Sequence, residues 1–64
     1  MIKTGIYKHI KTGNLYKVIP IQVKIKDNGE WIEGVQYHRK DEDSQYFVRS
    51  EEIFKKKFVY EGLW

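Results

Sequence analysis

The feature that most constrains this chain is the tripeptide Asp27-Asn28-Gly29, which lies between two runs that alternate apolar and polar residues. Asn and Gly adopt the positive φ angles that a two-residue hairpin turn needs. Residues 21–26 alternate Ile or Val with Gln or Lys, and residues 30–39 read as the returning strand. The tripeptide therefore predicts an antiparallel hairpin in the middle of the chain.

A proline interrupts the strand that enters this hairpin. Tyr16 and Val18 share one parity, whereas the apolar residues after Pro20 share the opposite one. Proline has no N–H to give to a strand ladder, so a bend or bulge at Pro20 would re-aim the later side chains toward the core. We expect one long strand that bends there, as strands do at the corners of small barrels.

The segments on either side are short. Residues 5–10 predict a strand that is mixed on both faces, which is typical of an edge or rim position. Ser50 has the chemistry of an N-cap residue, and the two glutamates after it suit the first turn of a helix. Ile53 and Phe54 are expected to face the core. The remaining predicted segments are a turn over residues 11–14, a solvated turn over residues 40–44, a strand over residues 45–49 and a last strand over residues 58–60.

Five short strands and one helical turn in 64 residues predict a single domain. We expect a mostly β fold over residues 1–64, a small and strongly bent antiparallel SH3-like barrel with the helical turn before its last strand. With no cysteine, packing of the ten aromatic residues or self-association must hold it together. No apolar run is long enough for a membrane span, and we expect a cytoplasmic protein with no membrane partner.

Arg49 is the leading candidate for ligand binding. It ends a predicted strand beside the Ser50 cap, where backbone N–H groups and a guanidinium could hold a phosphate or carboxylate. The formal net charge of +3 gives a modest bias toward anionic partners, although such a charge more often reflects a lysine-coated soluble surface. The alternative for Arg49 is an ion pair with Glu51 or Glu52.

Tyr7 and His9 share a parity on the first predicted strand and could line a rim next to Arg49. In the alternative, Tyr7 packs and His9 satisfies a backbone carbonyl. His9 and His38 are the only imidazoles, and no spacing resembles a ligand set, so we expect neither a metal nor a cofactor. Neither a nucleophile with an oxyanion hole nor a glycine-rich phosphate loop is visible, and we expect no enzyme.

Two other kinds of partner are compatible with the residues. Nucleic acid could bind through lysines and through stacking on Trp31, Tyr37 and Tyr46, although aromatic residues in so short a chain are more often core. A protein partner or a second copy could dock on a sheet edge or on the aromatic C-terminus, where Trp64 follows Tyr60 and Leu63. The lysines for nucleic acid would be Lys24, Lys26, Lys55, Lys56 and Lys57.

Spaced residues also carry a resemblance to a family. They are Gly5, Tyr7, His9, Lys11, Gly13, Tyr16 and Val18, then Tyr37, Tyr46-Phe47-Val48-Arg49 and Phe54. This pattern resembles the small bacterial and phage family called domain of unknown function sixteen fifty-three. The resemblance implies a small SH3-like sheet protein without an established activity, in which Tyr7, His9, Tyr37 and Arg49 form a shared feature.

The leading hypothesis is a non-enzymatic binding module for a small anionic ligand, with a nucleotide as the favoured class. The site would comprise Tyr7, His9, Tyr37, Arg49 and Ser50. By analogy with phage-encoded inhibitors of host defence, such a module would act by sequestering its ligand. A nucleic-acid-binding barrel and a protein-interaction module are the alternatives.

Overall fold

The computed structural model describes residues 2–63. Its elements are β1 (Gly5–His9), β2 (Leu15–Val18), β3 (Val23–Asp27), β4 (Glu30–Arg39), β5 (Glu42–Ser50), α1 (Glu51–Lys57) and β6 (Phe58–Gly62). All strand pairings are antiparallel and form one bent sheet. The predicted fold class is confirmed: the chain is a small, mostly β fold with one short helix directly before its last strand.

The predicted bend at Pro20 accounts for the sixth strand. Val18 of β2 lies opposite Tyr37, and Val23 of β3 lies opposite Gly34, on the edge of β4 that faces away from β5. The chain advances five residues from Val18 to Val23, whereas β4 advances only three from Gly34 to Tyr37. The two extra residues bend the chain at residues 19–22. β2 and β3 are two halves of one interrupted strand, so the predicted five strands are present, and the sheet order is β6, β1, β2 with β3, β4, β5.

The predicted hairpin at residues 27–30 is confirmed. Asp27 lies opposite Glu30, and the two residues between them are both left-handed, with φ of 56° at Asn28 and 86° at Gly29. These two positive values are those of a type I′ turn, whose twist matches the strands it joins. The turn fixes the register of β3 on β4.

The prediction that residues 5–10 form an edge strand is wrong. β1 pairs with β2 on one side and with β6 on the other. Its pattern looked mixed because Tyr7 faces the core while its neighbour Lys8 lies on the opposite face of the sheet. In the described part of the chain β3, β5 and β6 each pair with one neighbour only, and α1 connects β5 to β6 without a ladder between them.

The core lies on one face of the sheet under α1, and we call this the inner face. Phe54 of α1 is 0% exposed and stacks on Phe58 with ring centroids 4.2 Å apart. Ile53, expected to face the core with Phe54, is 44% exposed instead, because a helix turns about 100° per residue. The other members of the core cluster are Tyr7, Val18, Val35 and Tyr37, with Tyr16 and Phe47 packed against them.

The turn predicted over residues 40–44 is shorter than expected. Glu42 already lies opposite Arg39, so residues 40–41 alone turn the chain. The next pair of residues is His38 with Tyr46, which places a bulge in β5 between Glu42 and Tyr46. The charged residues 42–43 belong to β5 because the bulge accommodates the extra residues of this strand opposite β4.

Candidate functional site

Arg49 projects from β5 at the corner where α1 begins. Its Nε donates a hydrogen bond of 2.8 Å to the hydroxyl oxygen of Tyr37, a residue of the neighbouring strand that is 3% exposed. Arg49 itself is exposed. One edge of the guanidinium is therefore held by a rigid core residue, and its terminal nitrogens are left to face solvent.

The glutamates that were weighed as partners of Arg49 pair with lysines instead. Glu51 Oε1 lies 3.4 Å from Lys55 Nζ, and Glu52 Oε1 lies 3.9 Å from Lys56 Nζ, both at i,i+4 spacing along α1. Among residues 2–63, no carboxylate lies within ion-pair distance of Arg49. The positive charge at this corner is not neutralised by an acidic side chain of the described chain.

The protein environment shifts the pKa of the tyrosine that holds Arg49. Burial raises the pKa of the Tyr37 hydroxyl above its ordinary value of 10.0, and the nearby Tyr16 adds to this. The hydrogen bond and the charge of Arg49 lower the same pKa but do not cancel the effect of burial. Tyr37 is accordingly a neutral phenol near pH 7 and accepts the Arg49 hydrogen bond in that form.

A shallow groove of about 300 Å³ runs beside Arg49. Two cations, Lys26 and Arg49, line it together with Ser50 and Asp27. Its floor is aliphatic and consists of Ile25, Ile32, Val48 and Ile53. We call this the Arg49 groove. A ligand that combines an anionic group with a flat or apolar body matches this lining.

Ser50 has the structural role that the sequence predicted. Its Oγ accepts a hydrogen bond of 3.2 Å from the backbone N–H of Ile53, which caps α1. The hydroxyl proton of Ser50 is not needed for the cap, so the same side chain can donate to a ligand in the Arg49 groove.

The structure does not bring Tyr7 and His9 to this groove. The Tyr7 hydroxyl donates to the Lys3 carbonyl at 2.6 Å, and burial followed by the proximity of Tyr60 raises its pKa. His9 Nδ1 accepts from the backbone N–H of Thr12 at 3.3 Å and lies 3.0 Å from the Thr12 hydroxyl. His9 thus holds the β1–β2 turn, and Tyr7 is a core residue.

The strand register separates His9 from Arg49. Tyr7 lies opposite Tyr16, and Tyr16 lies opposite Arg39, so Tyr7 is level with Arg39 across the sheet. His9 lies two residues further along β1, beyond that level. Arg49 lies opposite Val35, four residues before Arg39 on β4. Six residues at about 3.3 Å each put the two side chains about 20 Å apart along the strands. The predicted single rim of His9, Tyr7 and Arg49 is therefore wrong, and only Tyr37, Arg49 and Ser50 share a corner.

The lysines considered for nucleic acid fall into two groups, on the β3–β4 hairpin and on α1. Lys24 Nζ lies 3.1 Å from Glu33 Oε1, and Lys26 Nζ lies 5.8 Å from the centre of the Trp31 ring. On α1, Lys55 and Lys56 are in the ion pairs with glutamates given above. Lys57 is exposed, and its backbone carbonyl accepts from the N–H of Ile10 at 2.9 Å.

The aromatic residues considered for stacking divide in the same way. Tyr37 is core, whereas Trp31 is 65% exposed and Tyr46 is 49% exposed. Tyr46 packs against His38, whose Nδ1 lies 2.7 Å from the carbonyl oxygen of Arg39. Trp64, proposed as a contact between copies, lies outside the described residues.

Sequence reasoning missed the floor of the Arg49 groove and a second pocket. The signal for the floor was the parity of Ile25 and Ile32, which lie opposite each other on the face of the hairpin that α1 approaches. The second pocket, of about 200 Å³, opens at the Pro20 bend between Ile2, Val18 and Val35. Within residues 2–63, no three His, Asp or Glu side chains come together as metal ligands.

Comparisons of the chain with protein-family models, with curated proteins and with solved structures gave no match. In the described part of the chain, no helix has the length and apolar character needed to cross a bilayer. The resemblance to domain of unknown function sixteen fifty-three stays a prediction.

Proposed function

We propose that this protein is a non-enzymatic module that binds a small anionic ligand in the Arg49 groove, and we favour a nucleotide. The observation that carries the proposal is the Arg49–Tyr37 pair. A guanidinium held by its Nε on a buried phenol, with no carboxylate partner in residues 2–63, offers its terminal N–H groups to an anion. Such paired donors match the oxygens of a phosphate.

The floor of the groove supports a nucleotide over a simple inorganic anion. Ile25, Ile32 and Val48 offer apolar contact to a base, while Lys26 lines the same groove as Arg49 and adds a second positive charge. Asp27 at the same groove disfavours a ligand with a second anionic end. A module of this kind would act by holding its ligand away from other proteins, as sequestering inhibitors of host defence do.

The proposal is tested first by native mass spectrometry of the protein purified from cells, in which a bound nucleotide appears as a mass above that of the denatured chain. The binding of AMP, adenosine and inorganic pyrophosphate is then measured by calorimetry. We expect AMP to bind more tightly than adenosine, because adenosine lacks the charge for Arg49, and than pyrophosphate, because pyrophosphate lacks a base.

Arg49→Gln is the decisive variant, because it removes the charge and keeps a polar side chain. We expect it to weaken AMP binding by roughly 10- to 100-fold, the equivalent of one charge-assisted hydrogen-bonded contact. Arg39→Gln is the matched control, since it makes the same change of net charge on β4 away from the groove. Equal loss in both variants, or no loss in Arg49→Gln, would reject the assignment.

Nucleic acid is the second candidate, favoured by the exposed Trp31 beside Lys26 on the β3–β4 hairpin. Stacking of bases on Trp31 and phosphate contacts from Lys24 and Lys26 would give an affinity that falls steeply with salt. Fluorescence anisotropy with a labelled oligonucleotide from 50 to about 200 mM salt measures that slope. A flat response, or unchanged affinity in Trp31→Ala, rejects this candidate.

A further inference from the structure

β5 has an edge with no strand beside it. Within residues 2–63, β5 pairs with β4 alone, and its other edge meets no ladder. Tyr46 and Val48 on this edge strand are 49% and 50% exposed. Residues 46–50 carry neither proline nor lysine, two residue types that protect such edges from pairing with another chain, and the bulge of β5 lies before them, between Glu42 and Tyr46.

The charges of β5 are arranged asymmetrically along the strand. Glu42 and Asp43 lie at its start, and Arg49 lies near its end. A parallel second strand would place acid beside acid and Arg beside Arg. An antiparallel second strand related by a two-fold axis near Tyr46 places the acidic start of each strand beside the Arg49 of the other.

We propose that a second copy of this chain pairs antiparallel along β5, with the carboxylate of its Asp43 next to Arg49. The two-fold axis doubles every contact, so one dimer contains two such ion pairs. With the axis at Tyr46, the two Tyr46 rings lie opposite each other, and the bulged residues 43–45 of each strand lie beside residues 47–49 of the other. Half-exposed apolar side chains on both strands are thereby covered, which gives the pairing an apolar component beside its charges.

The same contact controls whether a ligand can bind in the Arg49 groove. This part of the inference rests on the proposed function. The Asp43 carboxylate of the second copy is an anion beside Arg49, where the phosphate of a ligand would bind. Dimer formation and ligand binding therefore compete for one guanidinium. Saturating AMP is expected to shift the protein toward monomer, and raising the protein concentration is expected to weaken apparent AMP affinity.

Sedimentation velocity over a range of protein concentrations tests the pairing without any ligand. The unmodified chain is expected to form dimers, and Arg49→Asp is expected to raise the dimer dissociation constant by at least about tenfold by placing like charges together at both contacts. The double variant Asp43→Arg with Arg49→Asp exchanges the charges and restores the dimer. Lys11→Asp, which changes net charge equally at an exposed position in the β1–β2 turn, leaves it intact.

Each outcome of these measurements decides the proposal. A chain that stays monomeric at about millimolar concentration overturns it, as does a charge-exchanged variant that folds but does not pair. Asp43→Asn separates the two hypotheses, because it weakens the dimer while leaving Arg49 in place. AMP binding that persists in Asp43→Asn with unchanged dimerisation overturns the pairing alone, and an intact dimer that ignores AMP overturns the proposed function alone.

Discussion

At the scale of single residues, the property that matters most is the fixed direction of Arg49. An arginine at a strand end normally samples many rotamers, and ordering it costs up to about 2 kcal/mol. The hydrogen bond from its Nε to Tyr37 has already ordered the guanidinium, so a ligand binds to a prearranged donor. His9 has no comparable role, because Thr12 and the β1–β2 turn engage its Nδ1.

Tyr37 predicts how the stability of the fold depends on alkaline pH. Burial raises its pKa above 10.0, the value of the unfolded chain, so the stability it contributes is fully present below pH 10 and is lost as pH rises through the folded pKa. Tyr7, whose pKa is also raised, acts in the same direction. We expect the free energy of unfolding to fall less steeply above pH 10 in Tyr37→Phe than in the unmodified chain. Urea unfolding at pH 8 and at about pH 11 measures this loss of stability. An equal loss in both proteins would show that ionisation of Tyr37 does not destabilise the fold.

At the scale of elements, β1 and α1 are both held in place by residues at their ends. Gly5 has φ of 144°, and a Cβ on it would lie 2.6 Å from the carbonyl oxygen of Gly62, so the close approach of β1 and β6 requires glycine at this position. The seven residues of α1 are too few to form a stable helix alone, and its Ser50 cap and the packing of Phe54 hold it in place.

Ser50→Ala measures the contribution of the cap to α1. Loss of the bond from the Ile53 N–H to the Ser50 hydroxyl oxygen is expected to reduce the free energy of unfolding by about 1 kcal/mol, with no change in the denaturant slope. Ser50→Asp is the control, since its carboxylate can accept the same bond and suits a helix N-terminus. Equal denaturant midpoints for Ser50→Ala and the unmodified chain would show that the cap does not contribute to the stability of the fold.

At the scale of the whole molecule, one aromatic cluster joins the helix to the sheet. Phe54 packs against Tyr7 and Tyr37 with ring centroids 5.1 and 5.2 Å away, in addition to its stack on Phe58. A domain of 64 residues is stable by only roughly 3–10 kcal/mol. Loss of a single central ring is therefore comparable to the total stability of the fold.

Phe54→Ala is accordingly expected to unfold most of the protein. Removing a fully buried phenylalanine costs about 3–5 kcal/mol. Ile53→Ala, the adjacent residue on α1, is the matched control and should cost under about 1 kcal/mol, because Ile53 is 44% exposed. Near-ultraviolet circular dichroism and the dispersion of amide proton shifts distinguish the two. A well-folded Phe54→Ala would mean that α1 contributes little to the core.

Local chemistry by itself determined the Asn28-Gly29 turn, the bend at Pro20, the Ser50 cap and the element order. Asn28-Gly29, Pro20 and Ser50 each restrict the backbone through groups within a few residues, so their sequence predictions hold in the structure. The arrangement of the strands in the sheet decided the positions of β1 and His9. Whether β1 lies at an edge, and whether His9 can reach Arg49, depends on which strands pair and at what register. Register is set by the packing of residues far apart in the chain, as when Tyr37 of β4 contacts Phe54 of α1.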